Sequence, residues 1–258
     1  MNTNLIDFLL SLNNEKIKYV ANPGNAGDSL IAAGTLALFR KLNLDFKICN
    51  IRNTFYGDTI IYGGGGNLIK HYDNLRNFLW ENHENNKIIV LPHTVYDCID
   101  LLNSIGKNTY IFAREEVSYE YIKDNMNNPE NAFLSNDMAF HFDDLDFYKQ
   151  QNHTGECNAF RLDLEKTNIQ TPKGNKDISN DFMFKQNTFN EDHINISTNN
   201  MFSYLCKFET INTNRLHVAI AGSLLGRKVN LYPNSYFKNK AVFDFSIKNK
   251  FINTSFIQ

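Results

Sequence analysis

The chain has 258 residues, 42% of them hydrophobic, and 26 basic against 28 acidic side chains give a formal net charge of −2. That is enough apolar material for one large domain or two smaller ones, and it lacks the broad basic field that nucleic-acid binding draws on. Cys49, Cys98, Cys157 and Cys206 lie far apart with no CxxC pair, which argues for buried free thiols rather than a zinc site or a disulfide framework.

The N-terminal stretch, MNTNLIDFLLSLNNEKIKYV, has no basic start and no small-residue cleavage site. Its apolar run is too short to span a membrane, so it reads as an amphipathic helix of a cytoplasmic protein. Strands are predicted at 17–21, 46–51, 58–63, 87–92, 109–113 and 132–136. Helix-period segments lie between several of them, at 29–42, 72–83, 96–105 and 115–126. Strands alternating with crossover helices imply a parallel sheet. Apolar strands without polar alternation imply a sheet covered on both faces. Around 143–155 the composition turns polar and reads as a linker, dividing the chain into domains 1–145 and 146–258. A second alternation follows: a strand at 158–164, a helix near 197–207, a strand at 208–213, a helix at 215–225 and a strand at 228–233. The Asn-, Lys- and Asp-rich stretch 166–195 has little periodicity and reads as a long loop. The fold class is therefore α/β in two units, the second compact, with an expected ligand cleft between them.

Ligands of α/β sheets bind beyond the carboxyl ends of the strands. After the first strand comes NPGNAGDSLI, with Gly24, Asn25, Gly27 and Asp28. Its glycines permit close backbone approach, and the following helix offers free N–H groups. It is neither a P-loop nor GxGxxG. Asp28 either caps that helix or serves sugar hydroxyls as acceptor or base; a carboxylate would repel a phosphate. The third strand runs into four glycines, 63–66, then Asn67. Either something approaches the backbone of Gly63, Gly64, Gly65 and Gly66 closely, or a bulge or tight packing of helix on sheet accounts for them. His93 and Thr94 follow the fourth strand, as ligand groups or as satisfied loop residues. Arg114 and Glu115 follow the fifth and could line a cleft, with Ser118 and Tyr119 structural. Asp137 follows the sixth, to bind ligand or to brace loops.

The second half is more pointed. In FRLDLE, Arg161, Asp163 and Glu165 alternate, so a strand would present all three on one side. In TNRLHVAIAGSLLG, the run from Leu216 is apolar nearly all round and predicts a buried helix. Arg215 and His217 stand at its start, with Thr213 or Asn214 as cap. Both could address an anion at the helix N-terminus, or bond neighbouring loops. His71, His83, His141, His153 and His193 show no metal spacing.

In order along residues 18 to 233, the pieces GNAGDSLI, GGGGNLI, LPHTV, AREEVSYEYI, SNDMAF, FRLDLE and TNRLHVAIAG resemble the polysaccharide pyruvyl transferase family. The resemblance implies two facing Rossmann-like domains in the GT-B manner, the first on the acceptor side and the second on the donor side. It implies transfer of pyruvate from phosphoenolpyruvate to a glycan or lipid-linked oligosaccharide, forming a ketal, with no cofactor and no metal. Arg161, Arg215 and Asn214 would hold the donor, with His217 as general acid and Asp28 or Glu115 as base. The 24–28 and 63–67 loops, His93, Thr94, Arg114 and Asp137 would complete substrate binding. A nucleotide-sugar glycosyltransferase of the same architecture, or a non-catalytic glycan binder, are the other readings. The protein would be cytoplasmic, without a membrane span, leaving peripheral attachment at a membrane open.

Overall fold

The computed structural model describes residues 4–70, 72–183 and 190–258. Among these residues there are eleven strands: β1 (Ile17–Val20), β2 (Phe46–Cys49), β3 (Thr59–Tyr62), β4 (Gly65–Leu68), β5 (Lys87–Val95), β6 (Thr109–Ala113), β7 (Ala132–Leu134), β8 (Glu156–Ala159), β9 (Thr210–Thr213), β10 (Lys228–Leu231) and β11 (Thr254–Phe256). They form two wholly parallel sheets, one of seven strands in the order β2-β1-β3-β5-β6-β7 with β4 beside β5, the other ordered β11-β10-β9-β8. The chain divides into one unit of residues 1–22 and 35–138 and a second of residues 23–34 and 139–258.

The first sheet is covered on both faces, as its apolar strands predict. Ile60, Ile61 and Tyr62 of β3, and Ile88 through Leu91 of β5, are fully buried. One face packs Val20, Ile60, Tyr62, Val90 and Ile111 with Phe78, Leu79, Leu101 and Ile122 from helices Asn74–Asn82, Ile99–Ser104 and Glu116–Asn125. On other contacts of the sheet, Tyr19 meets Phe39 of helix Ala26–Lys41 at 5.4 Å between ring centroids, and Phe8 of helix Leu5–Leu10 meets Phe112 edge-on at 5.4 Å.

Two expectations in this unit are corrected. Strand β5 does not stop at Pro92 but runs through His93 and Thr94 to Val95. The proline falls where pairing with β6 shifts register, between Val90 and His93, so its missing N–H interrupts no regular ladder. The glycine run is not wholly a loop either: Gly65 and Gly66 open β4, which pairs with the second half of β5. A β-carbon on Gly63 would lie 2.7 Å from the Asn22 backbone nitrogen, and one on Gly65 2.7 Å from Asn22 Nδ2. The close approach inferred from these glycines is made by the chain's own Asn22.

In the second unit, helix Leu216–Leu224 is buried nearly all round, with only His217 and Leu224 partly exposed. Gly222 lets it sit on the sheet: a β-carbon there would lie 2.7 Å from Ile211 Cδ1 of β9 and 2.9 Å from Val229 Cγ2 of β10. The helix expected near 197–207 begins earlier, at Glu191, because Asn190 caps it by accepting the His193 N–H at 2.9 Å. The polar stretch 143–155 holds a helical turn, Asp146–Lys149, and the expected loop 166–195 holds another, Ile178–Asp181. Residues 184–189 of that loop, and His71, lie outside the described residues. Strand β8 ends at Ala159, so Arg161, Asp163 and Glu165 lie beyond a strand rather than in one. No described helix is long and apolar enough to cross a membrane.

Candidate functional site

Parallel pairing of β8 with β9 puts Ala159 opposite Thr213. Arg161 and Arg215 each come two residues later, so two segments far apart in sequence deliver guanidinium groups from neighbouring strand ends. Two bonds tie these ends together and a third fixes the turn that follows β9. Thr213 Oγ1 donates to the Ala159 carbonyl at 2.6 Å and accepts the Arg215 N–H at 2.9 Å, and Asn214 Oδ1 accepts the Arg161 N–H at 2.8 Å. Arg215 stands at the N-cap position of helix Leu216–Leu224.

The two arginines meet on Asp163. Arg161 donates from Nε at 2.7 Å and from an Nη at 3.0 Å to its carboxylate, and Arg215 reaches the same group at 2.9 Å. Arg215 also grips Asp177, with Nε at 2.8 Å and Nη2 at 2.5 Å. Arg161 donates through Nη1 to Glu165 at 2.6 Å, and Glu165 takes Lys238 Nζ at 2.6 Å. Three cations thus face three carboxylates, largely out of water, and the formal charges cancel. Burial opposes the charge on Arg161, yet its bonds to Asp163 and Glu165 prevail and its pKa is raised. Burial would raise Asp163, but Arg161 and Arg215 hold it below the ordinary carboxylate value. Asp163 is the most open of the three acids, its side chain 33% exposed against 8% for Glu165 and 6% for Asp177. Asp177 and Lys238 escaped the sequence reading. Both lie in stretches without regular periodicity, and nothing local marks either as a partner of Arg161 or Arg215.

A cavity of about 230 Å³ opens at this network. Arg161 and Asn214 line it, together with Phe160 and residues of the 166–171 loop; neither Arg215 nor His217 does.

Helix Ala26–Lys41 begins in the same unit, and its first turn is a reciprocal cap. Asn25 Oδ1 accepts the Gly27 N–H at 2.8 Å, while Asp28 Oδ2 accepts the Asn25 N–H at 2.9 Å. Asp28 is therefore not the N-cap expected of it but the third helical residue, reaching back to Asn25. The Asp28 carboxylate lies over Gly24, so a β-carbon there would push that side chain out of its cap. Gly27 lies under the His217 ring: a β-carbon there would be 2.7 Å from Nδ1 and 2.9 Å from the histidine's own β-carbon. The structure thus brings His217 to the turn that carries Asn25 and Asp28.

In the first unit the remaining candidates bond to one another. Asn22 Oδ1 accepts from Tyr62 Oη at 3.0 Å and from Asn67 Nδ2 at 2.7 Å, and Asn67 Oδ1 meets His93 Nε2 at 2.7 Å. His93 is fully buried, and desolvation, aided by the Arg114 charge, pulls its pKa to about 3. The ring is neutral, so Nε2 carries the proton given to Asn67. Arg114 donates to Thr94 Oγ1 at 2.9 Å and to Asp137 Oδ2 at 2.8 Å, all three buried. Glu115 caps helix Glu116–Asn125, accepting the Ser118 N–H at 2.9 Å and the Ser118 hydroxyl. Burial raises the Glu115 pKa. His93 and Thr94 are strand residues, and with Arg114, Glu115 and Asp137 they have at most 1% of their surface exposed. The expected cleft lining is here an enclosed polar network at the carboxyl end of the sheet, partly within β5 itself. Asp137 braces its neighbours, one of the two roles weighed for it.

Comparison with known proteins adds three findings. The family model described as Polysaccharide pyruvyl transferase matches residues 25–236. A functionally uncharacterised protein from Klebsiella pneumoniae subsp. pneumoniae NTUH-K2044, known from a crystal structure, shares 35% identity and a TM-score of 0.86, with 100% of each chain covered. No curated protein matches the chain.

Proposed function

The chain belongs to the polysaccharide pyruvyl transferase family, and on that premise we propose that it moves pyruvate from phosphoenolpyruvate onto a sugar of a surface polysaccharide or its precursor, leaving a pyruvate ketal and releasing phosphate. The observation that carries this reading is the meeting of Arg161 and Arg215 on Asp163 at the adjoining ends of β8 and β9. Phosphoenolpyruvate bears a phosphate and a carboxylate, and guanidinium groups pair with both in bidentate fashion. Among the described residues, Arg215 has an Nη1 group left after its bonds to Asp177 and Asp163, and Arg161 retains further N–H donors. The cavity volume supports a donor of this size. At about 230 Å³ it is below the roughly 300–1,000 Å³ typical of sites for drug-sized ligands, and a nucleotide sugar is larger than a drug-sized ligand.

In this reading the donor's methylene carbon reaches beyond the cavity lined by Arg161 and Asn214 to His217, which protonates it, since imidazole is the side chain suited to proton transfer near neutrality. The carbon becomes a methyl group, and positive charge develops at the adjacent carbon that bears the phosphate oxygen. A sugar hydroxyl attacks there, the bond to the phosphate oxygen breaks, and a second hydroxyl closes the ketal ring. Two hydroxyl protons are lost: one balances the new methyl hydrogen and one leaves on phosphate. In the same reading Asp28, in the turn beneath His217, takes a hydroxyl proton. The acceptor is a glycan, free or lipid-linked, and a GT-B-like pairing of the two α/β units belongs to the same reading. The test is to incubate the protein with phosphoenolpyruvate and a panel of galactose- and mannose-type acceptors. Phosphate release is expected together with a mass gain equal to pyruvic acid less one water. Neither signal with any acceptor, alongside transfer from a nucleotide sugar, would overturn it.

A further inference from the structure

The outer edge of β8 is covered by a stretch without sequence periodicity. β8 is the end strand of the second sheet, with β9 on one side. Between 158 and 162 the odd-numbered peptide groups turn towards β9: the Ala159 carbonyl accepts from Thr213, and the Arg161 N–H donates to Asn214. The even-numbered ones turn the other way, and residues 175–177 meet each in turn. The Lys176 N–H donates to the Asn158 carbonyl at 3.0 Å. The Asn175 side chain does what a neighbouring peptide would do, Oδ1 accepting the Phe160 N–H at 2.7 Å and Nδ2 donating to the Phe160 carbonyl at 3.0 Å. Asp177 Oδ2 accepts the Leu162 N–H at 3.2 Å. The stretch thus satisfies the peptide groups that an end strand leaves open.

The same stretch ends on Arg215. Asp177 takes Nε on Oδ1 and Nη2 on Oδ2, and is itself fixed by the Leu162 N–H and by Asn180 Nδ2 at 2.9 Å. Arg161 is gripped along the matching edge, Nε and Nη2, by Asp163. A planar guanidinium held by two bonds on one edge has its other donors aimed in a fixed direction. Stability alone does not call for the Asp177–Arg215 pair. Its side chains are 6% and 5% exposed, and a buried ion pair often adds nothing over an apolar pair of the same size. Asn175 reaches the cavity wall as well, since it holds Phe160, which lines that wall beside Arg161.

We infer that Asn175 and Asp177 are positioning residues for the two arginines: docked on β8, the 175–177 stretch fixes the backbone on either side of Arg161 and the plane of the Arg215 guanidinium together. The inference rests on the proposed reading for the identity of the bound anion, but not for the placing of the arginines.

The experiment is calorimetric titration of phosphoenolpyruvate, and separately of inorganic phosphate, into the wild-type protein, Asp177→Glu and Asn175→Ala. Asp177→Glu keeps the charge and moves it by one methylene, and Asn175→Ala changes no charge, so altered repulsion of the anion plays no part. Ser223→Ala is the control: it removes buried bonds to the Ala219 carbonyl and Thr254 in the same unit. All three variants should melt a few degrees lower. Asp177→Glu should weaken phosphoenolpyruvate at least about 10-fold, the worth of one misaimed charge-assisted bond, and Asn175→Ala about 3-fold, with Ser223→Ala at wild-type affinity. The Arg215 Nε–H, assigned in nitrogen-15 spectra by its loss in Arg215→Lys, should exchange with water at least about 10-fold faster in Asn175→Ala than in the wild type. Wild-type affinity in either folded variant, weakening no greater than that of Ser223→Ala, or unchanged exchange overturns the inference; should Asp177→Glu not fold, Asn175→Ala decides alone. Weakened phosphate binding in the variants, with no affinity for phosphoenolpyruvate in the wild type, upholds the positioning role and sinks the pyruvyl-donor reading instead. A wild-type protein that binds neither anion overturns both.

Discussion

Replacing Asp163 by asparagine should tighten the binding of a small dianion. Its carboxylate lies 2.7 and 3.0 Å from Arg161 donors and 2.9 Å from Arg215. An anionic group on the free edges of the same guanidiniums would stand about 5 Å from it. At that separation the repulsion per charge is about 3 kcal/mol at an effective dielectric of 20 and about 0.8 kcal/mol in bulk water. Asp163 is one-third exposed, so screening takes a large part of the upper figure. The net relief is about 1–2 kcal/mol, or roughly 5- to 30-fold in affinity. Titration of phosphoenolpyruvate into wild-type and Asp163→Asn protein at low salt measures it directly. The gain should shrink towards 1 M salt, where the Debye length is about 3 Å. Equal or weaker binding by the variant would refute the reasoning, and would show that Asp163 serves more to hold the two guanidiniums in place than to occupy them.

Other outcomes follow from the same contacts. Glu165→Ala strips Arg161 and Lys238 of a buried partner and should cost about 3–5 kcal/mol in urea unfolding; adding Lys238→Met should recover part of the loss, and a single-variant loss below about 1 kcal/mol would contradict the burial. His93 binds a proton in the unfolded chain near its ordinary 6.5 but in the folded protein only at about 3. Stability from this group is therefore present above pH 6.5 and drains as pH falls, by up to about 1.4 kcal/mol per pH unit. Glu115, with its folded pKa raised above 4.5, acts in the opposite sense just above that pH. Unfolding curves between pH 5 and 7 should be shallower in pH for His93→Gln than for the wild type, and parallel slopes would count against a buried neutral ring. Gly27→Ala pushes a methyl group into the His217 ring, so turnover should drop at least about 10-fold with donor affinity little changed; wild-type turnover would show that the ring position does not matter.

Much of the α/β architecture could be read from periodicity, because parallel strands buried on both faces are apolar throughout and their crossover helices are not. Residues 109–113 were bounded correctly for that reason. Pro92 misled: a proline usually ends a strand, but here it sits at a register shift, and β5 gains a partner in the glycine-led β4 that no propensity would nominate. Arg161, Arg215 and His217 stood out as charged or titratable groups at the edge of a buried helix or strand. Their partners did not. Asp177 lies 38 residues from Arg215 in sequence and Lys238 lies 73 from Glu165; the loop between β8 and β9 brings in the first, and the short helix after β10 brings in the second. Asp28 was recognisable as a helix-start residue, but whether it or Asn25 caps depends on where the helix begins, the least legible feature of any sequence.

The most direct measurement is a crystal structure of the protein with phosphoenolpyruvate bound. The account predicts the ligand in the cavity at Arg161 and Asn214, with one anionic group on the guanidinium edges and Asp163 turned aside or repelled. A ligand held only at the Asn25–Asp28 turn, or in the enclosed network of His93, Arg114 and Asp137, would contradict it.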